Sequence, residues 1–231
     1  MLRQLLAMSG LLLLAGCFAP FSWPEQRRET VADIADAPVE ESEPLTRAAR
    51  CLEVDDESGA VPHLRAHLAT YPDALMIRAY LGELLMKLGR SAEAEVELSR
   101  VIAESPVDAG AMTKPLIHCH TRLMELAQTT NDTFREELHR GVGLFRLVQQ
   151  WRQEPASHDP TLTQQTLAKA AAALRAAQEL APDDPRPALY LAEVYEQLGQ
   201  IAAARWQRRQ ARNVLPYDRL STAEREWLAR P

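Results

Sequence analysis

The chain has 231 residues, 46% of them hydrophobic but only 6% aromatic, and Ala with Leu makes up roughly 30% of it, above ordinary usage. Gly is scarce at 9, and β-branched and aromatic residues are sparse beyond the first 30 positions, which argues against a sandwich or barrel. Helices are favoured, because Ala and Leu lose least on entering them. The net charge of −6 lacks the basic footprint of a nucleic-acid binder.

The charge is uneven. Residues 25–57 carry eleven acids against four Arg, and residues 205–230 carry seven Arg against three acids. Lys occurs only at 87, 114 and 169. Such a bias towards Arg can follow from genomic base composition, so richness in Arg alone argues for no site.

The first residues read MLRQLLAMSGLLLLAGC. Arg3 supplies a positive start, and residues 5–14 form an apolar run of ten, about half of what spans a bilayer. The run ends in Leu14-Ala15-Gly16-Cys17. These residues resemble the bacterial lipoprotein signal. The resemblance implies cleavage after residue 16 and a mature chain that begins with a lipidated Cys17. More than one acyl chain is needed for stable anchoring. Phe18 follows where an Asp would imply inner-membrane retention, so the resemblance implies an outer-membrane lipoprotein facing the periplasm.

Residues 17–43 are expected to be a solvated acidic tether, given Pro20, Pro24, Pro38 and seven acids from Glu25 to Glu43. Phe18, Phe21 and Trp23 stand beside the anchor, either seated in the headgroup layer or merely tolerated there.

Residues 44–220 read as a helical repeat. Shifted by 110 positions, Leu81-Gly82 meets Leu191-Ala192, Leu85 meets Tyr195, Leu88-Gly89 meets Leu198-Gly199, Ala94 meets Ala204 and Pro106 meets Pro216. Pro72 to Pro106 and Pro182 to Pro216 are both 34 residues. Leu81, Leu84, Leu85 and Leu88 make an apolar helix face. Gly82 and Ala192 admit a close neighbour, Gly89 and Gly199 end a helix in the left-handed conformation, and Pro106 and Pro216 stop the next one.

These residues resemble the tetratricopeptide repeat, a helix–turn–helix unit of about 34 residues. The best units are 75–108 and 185–218. Residues 41–74 form a degenerate unit with Ala60, Leu64 and Pro72, and 160–184 resemble a second half-unit. The aromatic that often opens the motif is replaced by Arg78, and Arg208 takes a place that is normally bulky and apolar. The expected fold is therefore all-α, a superhelix of stacked antiparallel helix pairs.

Residues 107–128, 131–153 and 160–180 read as three helices too long for the repeat. Helix direction alternates, so three in a row would reverse the 185–218 unit relative to 75–108. Either Pro115 splits the first of the three, or the array breaks, most readily near Pro155 and Pro160. Residues 221–231 open with the capping box Ser221-Thr222-Ala223-Glu224. Trp227 and Leu228 are expected to cover the last unit.

No catalytic constellation emerges. Cys51 and Cys119 are 68 residues apart, two repeat periods, which puts them beyond disulfide reach. His118 and His120 flank Cys119 but point apart on a helix. His63 and His67 share a face without a third ligand. Glu136-x-x-His139 is similar to half of a di-iron motif, but no second copy exists. Gly141-Val142-Gly143 lacks the strand and third Gly of a nucleotide loop, and close helix packing accounts for it. Arg205, Arg208, Arg209 and Arg212 form a helical stripe. It reads as a solvated face paired with Glu224 and Glu226, or as a contact for anionic lipid or an acidic partner.

The resemblance implies a membrane-anchored protein–protein interaction module, with a protein or peptide segment held in a groove lined by first helices. The groove residues expected are Met76, Ala79, Glu83, Met86 and Lys87, then Arg186, Leu189, Glu193, Glu196 and Gln197. Some repeats of this family clamp a terminal carboxylate with Lys and Asn. Glu83 and Glu193 stand where such Asn would be, so that ligand is not expected. No cofactor, metal, nucleic acid, small-molecule substrate or enzymatic activity is expected. The architecture is similar to repeat lipoproteins that help assemble outer-membrane proteins or pili. The alternative is an envelope structural protein that packs against itself.

Overall fold

Short connections between helices leave each one no choice but to run back along its predecessor. The computed structural model describes residues 43–106, 112–153, 159–214, 217 and 220–229. It is all-helical there, with no strand among the described residues. The helices are α1 (Glu43–Glu53), α2 (Glu57–Thr70), α3 (Leu75–Lys87), α4 (Ser91–Glu104), α5 (Thr113–Thr129), α6 (Thr133–Gln153), α7 (Pro160–Leu180), α8 (Pro185–Gln197), α9 (Ile201–Asn213) and α10 (Thr222–Ala229). Cys17, the signal sequence, nearly all of the tether, Pro155, Leu215 and Pro216 lie outside the described residues. Glu43, the tether's last residue, already opens α1.

The helix ends follow local chemistry. Gly89 and Gly199 have φ of +70° and +73°, as the repeat pattern requires. At each, two backbone bonds close the helix end: Arg90 N–H donates to the Leu85 carbonyl and Gly89 N–H to that of Met86. Gln200 and Gly199 do the same to Tyr195 and Glu196. Pro160 and Pro185 open α7 and α8, where the missing N–H costs nothing, and the carboxylates of Asp159 and Asp184 cap those helices. The motif-bearing pairs α3/α4 and α8/α9 thus take the helix–turn–helix form of the tetratricopeptide repeat.

Pro115 does not split α5. It lies in the first turn of Thr113–Thr129, where its absent N–H has no intrahelical partner to lose. Three long helices therefore do run in succession, and the array breaks phase. Consecutive helices pack against each other from α1 to α9. Contacts between alternate helices define two layers. Glu83 of α3 meets Arg122 of α5, and Gln178 of α7 meets Gln207 of α9, on one side. Arg65 of α2 pairs with Glu93 of α4, Arg135 of α6 with Glu95 of α4, and α6 touches α8, on the other. So α3 and α8, both first helices of a motif, lie in opposite layers.

Small residues set the spacing. A Cβ on Gly82 would come within 2.7 Å of the Leu98 side chain, so α3 and α4 touch there through glycine. On Gly141 it would come within 2.6 Å of Leu174 Cγ and 3.2 Å of the Ala170 carbonyl oxygen. Gly141 is thus a packing device between α6 and α7, whereas Gly143 faces His120 of α5.

The capping box forms as expected. Glu224 N–H donates to Ser221 Oγ at 3.1 Å, and Ser221 N–H donates to Glu224 Oε2 at 2.8 Å. Trp227 and Leu228 do cover part of the last unit, packing with Tyr190 and Ala211. α10 does not sheathe the outer face of the last unit, where Ile201, Ala202 and Trp206 remain exposed. It turns back across the array and lies against α9 and, far earlier in the chain, α4. Its Trp227 and Leu228 enter the core of the C-terminal half.

A matched pair of substitutions tests the close approach. Gly141→Ala forces its methyl into Leu174 and Ala170 and should cost about 1–3 kcal/mol in urea unfolding. Gly143→Ala meets only His120 Cβ, at 3.5 Å, and gains helix propensity. It should be neutral or stabilising by up to about 1 kcal/mol.

Candidate interaction surface

The residues expected to line one groove do not share a surface. Those of α3 and α8 stand in opposite layers, and several are not exposed at all. Ala79 is 1% exposed and packs with Leu98, Leu116 and Cys119 between α3, α4 and α5. Leu189 is 0% exposed in the C-terminal core. Glu83 is 8% exposed. Met86 is half-buried between two cores, and Gln197 is half-buried too. Met76 and Lys87 are exposed, Lys87 donating to Glu57 at 3.2 Å. Glu193 is half-buried and Glu196 exposed, and Arg208 of α9 bridges both, at 2.8 and 2.7 Å. Arg186 is half-buried against Asp184. A repeat motif fixes which residues face the partner helix of a pair. It does not say that the next helix but one will also lean on the remaining face.

That is what happens to Glu83. Arg122 of α5 donates to its two carboxylate oxygens at 2.9 and 2.7 Å, and the His118 ring nitrogen lies 2.8 Å from Oε2. Burial alone would raise this carboxyl's pKa. The hydrogen bonds from His118 and Arg122 outweigh it and hold the group at about 2. Arg122 also reaches Glu125 at 2.8 Å. The pattern recurs where sequence departs from the repeat motif. Arg78, in the place of an aromatic, is 3% exposed and donates to Glu97 of α4 at 2.9 Å and to the Pro72 carbonyl at 2.6 Å. Arg208, in an apolar place, is neutralised by the Glu193 and Glu196 carboxylates described above. The Arg stripe of α9 is therefore divided. Arg208 turns to α8, Arg212 Nε donates to the Leu228 carbonyl at 3.1 Å, and Arg205 and Arg209 stay exposed.

His120 and His139 form a buried pair, Nδ1 to Nδ1 at 3.1 Å, between α5 and α6. Burial, then His139 and the Arg146 and Arg186 charges, push His120 well below its ordinary pKa, and burial with the Arg186 and Arg135 charges takes His139 down to about 3, so both are neutral near pH 7. His118, two residues away, points instead to Glu83. Cys119 between them is fully buried, and burial followed by the Glu83 charge pushes its thiol up to about 12. Cys51 and Cys119 are both free, in α1 and α5. His67 stacks on Tyr71, with ring centroids 4.8 Å apart.

The surface that sequence reasoning missed is the one on which α10 lies. Trp227 sits between Phe145 of α6 and Tyr190 of α8, with ring centroids at 6.0 and 5.6 Å. The buried Tyr190 hydroxyl donates to Glu224 Oε1 at 2.8 Å. Each oxygen of that carboxylate thus has a donor, Tyr190 on one and the Ser221 backbone on the other. Arg186 is near enough for its charge to interact with Glu224, and its guanidinium lies over the Phe134 ring at 5.8 Å. Tyr190 aligns with Tyr80 in the 110-residue shift, and the capping box was visible. Nothing in the sequence linked the two.

No protein-family model matches the chain, and no curated protein matches it. Among solved structures, a crystal structure of MamA protein superposes with a TM-score of 0.37 at 12% identity, over 76% of this chain and 91% of that one. A second crystal structure of MamA gives 0.35 at 13% identity, over 72% and 92%. A MamA MSR-1 structure gives 0.34 at 18% identity, over 77% and 97%.

Two outcomes follow from the buried charges. Glu83→Gln leaves Arg122 and His118 without their carboxylate and should lose on the order of 2 kcal/mol at pH 7. Glu83's folded pKa is depressed, so this contribution is present above about pH 4.5 and lost as pH falls towards 2. Urea unfolding at pH 7 and pH 3 should show the difference from wild type shrinking. The histidines act in a higher window. The unfolded chain binds protons that folded His120 and His139 refuse, so stability should fall as pH drops from about 6.5. His139→Asn keeps a hydrogen-bonding partner for His120 and should flatten the melting temperature between pH 7 and 5.

Proposed function

We propose that this chain is an envelope-anchored protein–protein interaction scaffold. The lipobox-like Leu14-Ala15-Gly16-Cys17 supports a lipid on Cys17 and attachment to the outer membrane on its periplasmic side. The helical array supports the interaction role, because stacked helix pairs offer extended faces that bind other chains. The observation that carries this reading is the seat under α10. The array holds a helix there, through a buried ring and a paired carboxylate. The groove of first helices inferred from the motif is replaced by the layer of α4, α6 and α8, because the phase break moves α8 to that side.

Anchoring is tested by Cys17→Ser. The variant should remain unprocessed and should take up no labelled palmitate. Palmitate labelling that persists in the variant overturns the anchor. The scaffold role is tested by capture from detergent-solubilised envelope. Defined foreign proteins that co-purify with wild type, and are lost with Tyr190→Ala, are expected. Recovery of this chain alone would favour a self-packing envelope protein instead.

A further inference from the structure

α9 concentrates positive charge on an acidic chain. Ile201–Asn213 holds Arg205, Arg208, Arg209 and Arg212 and no acid. α7, which lies beside it in the same layer, holds Lys169 and Arg175 against the single acid Glu179. Six cations and one acid thus occupy two adjacent helices of a chain whose net charge is −6. Arg208 is engaged by Glu193 and Glu196, and Arg212 Nε by the Leu228 carbonyl. Arg205 and Arg209 are exposed and enter no ion pair among the described residues. Standing four residues apart, they form one row on the solvent side. At 3.6 residues per turn, Ile201 falls on one side of that row and Trp206 on the other. Both are exposed, at 45% and 49%. The buried places of α9 go instead to Ala204, Gln207 and Ala211. The one indole of this helix is therefore held outside, next to cations, while a Gln is held inside.

That chemistry selects an occupant. Guanidinium groups form paired hydrogen bonds with phosphate oxygens. An indole is favoured at headgroup level, where its ring meets acyl carbon and its N–H stays wet. A row of cations flanked by an indole and a branched aliphatic side chain matches an anionic bilayer surface on both counts. An acidic protein segment would satisfy the Arg row alone and leave the two apolar flanks unmatched.

We propose that the exposed face of α9 docks on the headgroups of anionic phospholipids, with Arg205 and Arg209 on the phosphates and Trp206 in the headgroup layer. Docking turns the layer of α7 and α9 towards the bilayer and the layer of α4, α6 and α8 away from it, open to protein partners. The proposal deepens the envelope-anchored reading and rests on it for its setting. Cys17 stands 26 residues before Glu43, so an acyl anchor there keeps the array within roughly 90 Å of the bilayer. Confinement of that kind lets a small patch suffice to orient the molecule.

The test uses the full chain on vesicles of phosphatidylcholine, with and without phosphatidylglycerol, doped with brominated phosphatidylcholine as a quencher of Trp fluorescence. The signal of Trp206 is the difference between wild type and Trp206→Phe, which removes the contribution of Trp23 beside the anchor. Trp206 should be quenched on vesicles that contain phosphatidylglycerol, and should be released when that lipid is omitted or when salt is raised well beyond physiological strength. These arms use wild type and its Phe variant alone. Arg205→Gln with Arg209→Gln should lower the quenching severalfold, with circular dichroism and melting as in wild type. The Cys17→Ser chain, added to preformed vesicles, should show the same Arg-dependent quenching. A result of that kind without palmitate on wild type would remove the anchor and leave the lipid contact standing. A palmitoylated chain whose Trp206 stays unquenched would do the reverse and overturn the proposal. Quenching indifferent to phosphatidylglycerol, to salt and to the two Arg overturns it as well. Polyglutamate that binds more tightly than the vesicles, with the same dependence on Arg205 and Arg209, would make an acidic segment the occupant and overturn the lipid.

Discussion

The alternation of helix direction is the constraint on which the rest of this molecule depends. With connections only a few residues long, a helix must return along the one before it. The parity of the number of helices between two motif units then decides which layer each occupies. Between α4 and α8 stand three helices, α5, α6 and α7. An even number would have set α8 in register with α3. Three put it across the array, in the layer of α4 and α6. The Tyr190 ring and the Arg186 guanidinium thereby face α10, and the Glu83 carboxylate in the other layer meets α5 instead.

The second organising feature is that charged side chains pair between helices at places where the repeat motif would be apolar or open. Arg78 with Glu97, Glu83 with Arg122 and Arg208 with Glu193 each join two helices, and each is at least partly withdrawn from water. A buried charge without its partner is far more costly than the pair is favourable. Such contacts add less to stability than to register, since a helix sliding by one residue would strand an ion. Apolar packing carries the burial itself, in three clusters: α1 to α4, α3 to α5, and α6 to α10. The aromatic rings of Phe145, Tyr190 and Trp227 concentrate in the last of these, where α10 closes on the array.

The phase break also explains why one helix can be both end-piece and brace. A terminal repeat usually needs a polar outer face or a covering helix. Here α9 supplies part of the polar face with Arg205, Arg209 and its exposed neighbours, and α10 is released to cross the other layer. It joins α9 to α4, more than a hundred residues apart in sequence. In an array whose stability otherwise passes from neighbour to neighbour, that is a long-range tie.

Much of this was legible in the sequence. The all-helical class, the glycine-ended first helices at Gly89 and Gly199, the close packing at Gly82 and Gly141, the helix at 160–180 and the capping box of Ser221 and Glu224 are local or periodic features. Each is dictated by backbone sterics or by the spacing of small and apolar residues along one helix. The placement of groove residues was not legible. Ala79, Glu83 and Leu189 looked outward in the frame of a single helix pair, and became buried because a third helix packed on the free face. Sequence could state that three long helices either break the phase or do not, and could not choose, because Pro115 is harmless in a first turn and disruptive a turn later. The meeting of Tyr190 with Glu224 and of Trp227 with Phe145 was beyond it altogether. Those contacts join segments whose separation follows no period, and only the path of the chain through space brings them together.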